Sequence, residues 1–160
     1  MQIYHCYSNP QYVSFLVHIL VYTHRELIEK ERMRVIYAVS DLHGCYDKYT
    51  KLLERLHMTS DDSLYILGDI VDRGSGGMKI LLDLINRKNV FSCMGNHDHC
   101  AQMLLRNFVL SNDGCFADGL EEEFRLWLSD GGSTTYEELL KLDESKQHAV
   151  LGYLCSLPVY

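Results

Sequence analysis

Three short apolar runs constrain the fold of this chain more than any other feature. Each ends in a cluster of glycine and polar residues, and each is followed by a stretch of helical periodicity. Residues 35–39 (VIYAV) are continuous and rich in β-branched side chains, the pattern of a strand buried on both faces. Residues 63–67 (SLYIL) and 90–94 (VFSCM) read as two further strands. Residues 46–56 place Tyr49, Leu52, Leu53 and Leu56 on one helical face with Asp47 near the start, and residues 78–85 and 100–110 read as a second and third helix. A βαβαβα order implies parallel strands joined by right-handed crossovers, an α/β fold.

The polar clusters sit at the C-terminal ends of the strands. Ser40-Asp41-Leu42-His43-Gly44 follows the first, Gly68-Asp69-Ile70-Val71-Asp72-Arg73-Gly74 the second, and Gly95-Asn96-His97-Asp98 the third. In an open parallel sheet those ends converge on the crevice where ligands bind. Three strand ends that each deliver Asp, Asn or His to one edge are hard to produce from packing demands alone.

Carboxylate, imidazole and amide oxygen are the donors that hard and borderline divalent metals take. Asp41 and His43, two residues apart on a turning segment, can point at one ion. Asp69 is placed to bridge two ions, and Asn96 can offer its side-chain carbonyl to the second. A pair of ions about 3.5–4 Å apart would generate a bridging hydroxide and clamp phosphoryl oxygens during in-line attack. Arg73 offers a planar fork of donors suited to phosphate. His97 can protonate a leaving oxygen while Asp72 orients its imidazole.

Each motif alone has a plainer reading. A lone Asp-x-His is usually structural, Asp72-Arg73 could be a surface ion pair, and Asn96 or Asp98 could cap a helix. Trp127 reads as a core residue, and Arg106 and Arg125 as solvated helix positions. The ordered set is what resists that reading.

Beyond residue 110 the pattern becomes helical. Residues 121–128 form a helix broken at Asp130-Gly131-Gly132. Thr134-x-x-Glu137 reads as a capping box opening a helix over 136–142, and residues 146–154 form another that stops near Pro158. This stretch reads as a helical insertion or lid.

With 160 residues, 47% hydrophobic and only two prolines, the chain has the composition of one globular domain. A net charge of -7 argues against a general nucleic-acid binder, but not against a phosphate substrate, since bound metals supply positive charge locally. Six scattered cysteines without a CxxC pair point to reduced thiols and a cytoplasmic protein. The apolar run 13–22 is far shorter than the ~20 residues of a membrane-spanning helix, and it lacks the flanks of a signal peptide. Residues 1–32 form an extension, helical or arising from an upstream start codon, ahead of a domain over 33–160.

The blocks SDLHG, GDIVDRG and GNHD resemble the D-x-H-G, G-D-x-V-D-R-G and G-N-H-[DE] signatures of calcineurin-like metallophosphoesterases. Within that family they are most similar to the phosphoprotein phosphatase branch, in particular its bacterial and phage serine/threonine phosphatases. The resemblance is strongest over residues 35–105, and the Trp127, Gly131-Gly132 and Leu157-Pro158 stretch follows it more loosely. It implies the N-terminal βαβαβα half of a β-sandwich flanked by helices. It also implies Asp41, His43 and Asp69 on one metal, Asp69 and Asn96 on a second, His97 paired with Asp72 as general acid, and Arg73 on phosphate. Two divalent ions are implied, manganese first, with iron or zinc as alternatives.

The substrate implied is a phosphomonoester, phosphoserine or phosphothreonine in proteins or a small phosphoester, with no nucleic-acid or membrane partner. The family pattern continues with His-Ala-Gly and Gly-His blocks that complete the second metal site, and this chain reaches Tyr160 before them. It therefore reads as incomplete at its C-terminus, with apolar sheet surface left exposed. A relative hydrolysing dinucleoside tetraphosphates symmetrically is the alternative, although the Asp72-Arg73 pair leans toward the phosphomonoesterase. A non-catalytic metal-binding remnant is the third reading.

Overall fold

The structure is a computed structural model that describes residues 34–110 and 119–159, together with the short strand segments 3–5 and 18–20. Three parallel strands form its centre: β3 (Ile36–Val39), β4 (Ser63–Ile66) and β5 (Val90–Ser92), side by side in chain order. Ala38 pairs with Tyr65, and Tyr65 with Phe91. Ahead of them, β1 (Ile3–His5) and β2 (His18–Leu20) pair antiparallel, with β2 lying against β3. The charged stretch 23–33 lies outside the described residues.

Strands that step in one direction through right-handed crossovers place their connecting helices on one face. Here α1 (Tyr46–Leu56) and α2 (Gly77–Ile85) pack together, and α6 (Glu144–Ser156) packs on α2 and on α3 (Asn96–Leu110). The core lies under that layer, where Val39, Leu64, Ile66 and Val90 of the sheet join Tyr49, Ile80, Leu81, Leu104 and Leu154 of the helices. Each such apolar side chain contributes about 1.5–3 kcal/mol on leaving water. The opposite face differs. Ile36, Tyr65, Leu67 and Phe91 are exposed, with the Tyr65 and Phe91 rings stacked 5.2 Å apart. The reading of residues 35–39 as buried on both faces fails at Ile36 for this reason: the described helices cover one face of the sheet.

Two boundaries move in ways that matter for the site. Helix α3 begins at Asn96, four residues before the expected start at 100. Gly95 and Asn96 look like loop residues, but Asp98 sits in the first turn and its Oδ2 accepts the Gly95 N–H at 3.0 Å, which allows the helix to begin inside the motif. Downstream, α4 (Glu121–Trp127) passes through one wide turn, Leu128–Gly132, into α5 (Ser133–Leu140). The break at Gly131 is real, with φ of 105°.

The capping box does not form. Helix α5 has already begun at Ser133, and the Thr134 hydroxyl donates to the Gly131 carbonyl at 3.1 Å. Helix α6 opens earlier than expected, on Asp143, whose carboxylate accepts the Lys146 N–H at 3.0 Å. After α6 the chain turns extended at Leu157, and the Pro158 carbonyl accepts the Met94 N–H at 2.9 Å, beside the end of β5. Among the described residues, no helix is long and apolar enough to cross a membrane.

Candidate metal centre

The loops that leave β3 and β4 are bound to each other through their backbones. The Asp41, His43 and Gly44 N–H groups donate to the carbonyls of Gly68, Asp69 and Ile70 at 3.3, 2.8 and 2.9 Å, and Gly74 N–H returns a bond to the His43 carbonyl at 3.0 Å. That lattice holds side-chain-bearing residues in an uncommon conformation. Asp41, His43, Asp69, Asp72 and Arg73 all have φ between 42° and 70°. A non-glycine residue there costs on the order of 1 kcal/mol or more, and such residues persist where the surroundings over-determine them. All five belong to the motifs singled out in the sequence.

The strain has a geometric result. One ligand atom from each of Asp41, His43 and Asp69 lies within 4.8 Å of the others. The third loop closes around Asp69: its Oδ1 accepts the His97 N–H at 3.1 Å, and a Cβ at Gly95 would collide with that same carboxylate. A glycine is needed there for room. Asp98 ties the second loop to the third, because its fully buried carboxylate accepts the N–H groups of Ile70, Val71 and Gly95 at 2.9, 3.3 and 3.0 Å. Burial, opposed by those three donors, raises its pKa to about 6. The sequence allowed Asp98 only a capping role; it also fastens the loop that carries Asp69 and Asp72.

His43 is buried, and its Nδ1 faces the Val71 carbonyl at 3.2 Å. Loss of solvation lowers its pKa, the Val71 carbonyl opposes this, and the charges of Arg73 and His97 lower it further. A neutral imidazole with its proton on Nδ1 leaves Nε2 free to accept, the state a metal ligand requires. His97 sits at right angles to His43, ring centres 4.8 Å apart, with Nδ1 2.9 Å from Asp72 Oδ2. Arg73 lies between them, Nη1 2.8 Å from His43 Nε2 and Nη2 3.0 Å from His97 Nε2. Asn96 is exposed, at the first residue of α3.

Two residues that sequence reasoning did not place at the site reach it from the helical segment. Trp127 Nε1 donates to Asp72 Oδ2 at 2.8 Å, and Thr135 Oγ1 donates to Asp72 Oδ1 at 2.7 Å while accepting the Asp72 N–H at 2.9 Å. Trp127 is a core residue, as expected, but its indole N–H serves the site. The glycine break has a purpose too. The Gly131 carbonyl accepts the Arg73 N–H at 2.9 Å, a Cβ there would stand 2.7 Å from Arg73 Cγ, and one at Gly132 would collide with the Trp127 indole. Thr135 carried no signal, because a threonine in a helix is commonplace.

The donor set suits a divalent ion: two carboxylates and one neutral imidazole at the mouth of three strand-end loops. For a second ion the motifs offer Asp69 and Asn96 alone. Among the described residues, Asp41, His43 and Asp69 are the one group of three or more His, Cys, Asp or Glu close enough to share an ion.

Known proteins resemble this chain. Residues 34–154 match the family model described as calcineurin-like phosphoesterase. A symmetrical bis(5'-nucleosyl)-tetraphosphatase of Salmonella typhimurium is 41% identical over 64 residues, which are 39% of this chain and 23% of the relative. The protein of the same name from Nitrosococcus oceani is 35% identical over 65 residues, again 23% of its length. The crystal structure of a putative diadenosine tetraphosphatase superposes with a TM-score of 0.50 at 21% identity, over 78% of this chain and 44% of that one. The chain thus spans less than half the length of these relatives.

Proposed function

From the membership of this chain in the calcineurin-like phosphoesterase family, we propose that it hydrolyses phosphoesters at a divalent-metal centre held by Asp41, His43 and Asp69, with Asn96 and Asp69 toward a second ion. The observation that carries the reading is the convergence of those three ligand groups within 4.8 Å, on loops strained into place at adjacent strand ends. Divalent ions bound there would polarise phosphoryl oxygens and lower the pKa of water, manganese being the ion we propose first.

The chain's own residues would then bind and orient the substrate. Arg73, whose fork now spans His43 Nε2 and His97 Nε2, turns to the phosphoryl oxygens. Once Arg73 has turned, His97 Nε2 takes up a proton from water and delivers it to the leaving oxygen, while Asp72 fixes the ring through Nδ1. The thiols of Cys45, Cys100 and Cys155, which form no disulfide, support a cytoplasmic site of action.

For the substrate we propose phosphoserine or phosphothreonine in proteins, a reading supported by the Asp72-Arg73 continuation of the second motif. The names of the relatives support a second reading, symmetrical cleavage of dinucleoside tetraphosphates. Turnover of a phosphoserine peptide, diadenosine tetraphosphate and 4-nitrophenyl phosphate with manganese separates the two. Preference for the peptide, abolished by His97→Ala, is the expected result. Preference for the dinucleotide selects the second reading, and turnover of none of the three overturns both.

A further inference from the structure

The helical segment supplies none of the proposed metal ligands, yet it supplies most of the hydrogen bonds that surround one carboxylate. Asp72 is fully buried, and both of its oxygens are occupied. Oδ1 accepts from the Thr135 hydroxyl, and Oδ2 accepts from the Trp127 indole and from His97 Nδ1. The direction of these bonds is forced. An indole N–H can only donate, and the Thr135 hydroxyl, already accepting the Asp72 N–H, has its own proton left to direct at Oδ1. Such a carboxylate acts as acceptor only, so the third bond must come from a proton on His97 Nδ1. That leaves His97 Nε2 facing the site, where Arg73 now meets it.

We propose that Trp127 and Thr135 are positioning residues for hydrolysis: by holding Asp72 as a fixed acceptor they keep one proton on His97 Nδ1 and fix the ring, so that a second proton, taken up from water at Nε2, faces the leaving oxygen. The inference rests on the phosphoesterase reading above. Packing alone does not account for the arrangement. Trp127 and Thr135 lie 55 and 63 residues from Asp72 in sequence and turn their polar atoms on the carboxylate that bonds the His97 ring. A purely apolar contact between the helical segment and the sheet would be met by phenylalanine and valine of similar shape.

The test uses the whole chain with manganese and compares Thr135→Val, Thr135→Ser and Trp127→Phe. Phenyl phosphate, a poor leaving group, needs the proton from His97 more than 4-nitrophenyl phosphate does. Thr135→Val should lower kcat on phenyl phosphate about 10- to 100-fold, the range for outer-shell partners of a site, with KM within twofold and a smaller loss on 4-nitrophenyl phosphate. Thr135→Ser should restore the parent value, and Trp127→Phe should follow Thr135→Val. Nitrogen-15 NMR of the imidazoles, which needs no turnover, should show His97 protonated at Nδ1 in the parent and in Thr135→Ser, and a tautomer mixture in Thr135→Val.

Equal losses on both substrates, or an unchanged tautomer in a folded Thr135→Val, would overturn the proposal. Should Thr135→Val fail to fold, Trp127→Phe carries the same measurements, and an unchanged tautomer there overturns it equally. A parent protein that turns over neither ester instead counts against the phosphoesterase reading, and the NMR result then decides the positioning role alone.

Discussion

The sheet half of the molecule and its helical half meet at Asp72, and they hold their functional groups by different means. In the sheet half, ligand-type side chains stand on backbone forced to positive φ, braced by bonds from one strand-end loop to the next. In the helical half Gly131 interrupts the helices and its backbone carbonyl accepts the Arg73 N–H, while the Trp127 and Thr135 side chains reach across the core to a carboxylate they do not adjoin in sequence. The first half sets which atoms converge. The second sets which way a proton faces. A mutation in the sheet half should therefore act on metal binding, and one in the helical half on turnover at constant metal affinity.

The largest expected effect lies in the sheet half. Asp69→Asn removes a ligand charge while keeping its shape, and should weaken manganese binding by roughly 100-fold or more, read by isothermal titration. Thr135→Val should leave that affinity within a few-fold. If both variants weaken the metal alike, the division between the halves fails.

Next comes the tie between the loops. Asp98→Ala leaves the N–H groups of Ile70, Val71 and Gly95 without their acceptor and should cost about 3–5 kcal/mol of stability, measured by urea unfolding. A loss below about 1 kcal/mol would mean that the loop-to-loop backbone bonds suffice. Gly131→Ala comes third. Its φ of 105° and the nearness of Arg73 predict a cost of about 1–3 kcal/mol together with a raised KM, since Arg73 is pushed from its place.

The smallest effect is far from the site. Tyr49→Phe deletes the 2.6 Å bond to Asp83 and should cost about 1 kcal/mol without changing metal affinity. Burial raises the Asp83 pKa, but its bonds from Arg87 and Tyr49 outweigh that and hold it below the ordinary 3.8. Its contribution to stability is thus present above that pH and lost on acidification through the lower folded value. Tyr49→Phe should shrink that acid-side step in a pH series of unfolding midpoints.

The two halves also differ in how far they could be read in advance. Strands and helices over residues 36–94 follow from local periodicity, and the polar residues at the strand ends announced a shared edge because a parallel sheet leaves them no other place. The start of α3 at Asn96 is hidden by glycine and asparagine, whose loop preference yields to the bond that the Gly95 N–H donates to Asp98. Ile36 reads as buried in sequence because a β-branched run does not show which face of the sheet is covered. Trp127 and Thr135 were beyond reach for a different reason. Their partner is 55 or more residues away, and nothing in residue type or spacing tells a core indole from one that serves a carboxylate. The glycine pair was visible as a break, while its fit against Arg73 and Trp127 exists only in three dimensions.

The most direct test of the metal centre is a manganese titration followed by electron paramagnetic resonance on the parent chain, His43→Ala and Thr135→Ser. A metal centre at these residues predicts saturable binding in the parent, retained in Thr135→Ser and lost in His43→Ala, because His43 is one of the three residues whose ligand atoms converge. A parent that binds no manganese, or a His43→Ala variant that binds it as tightly, would contradict it.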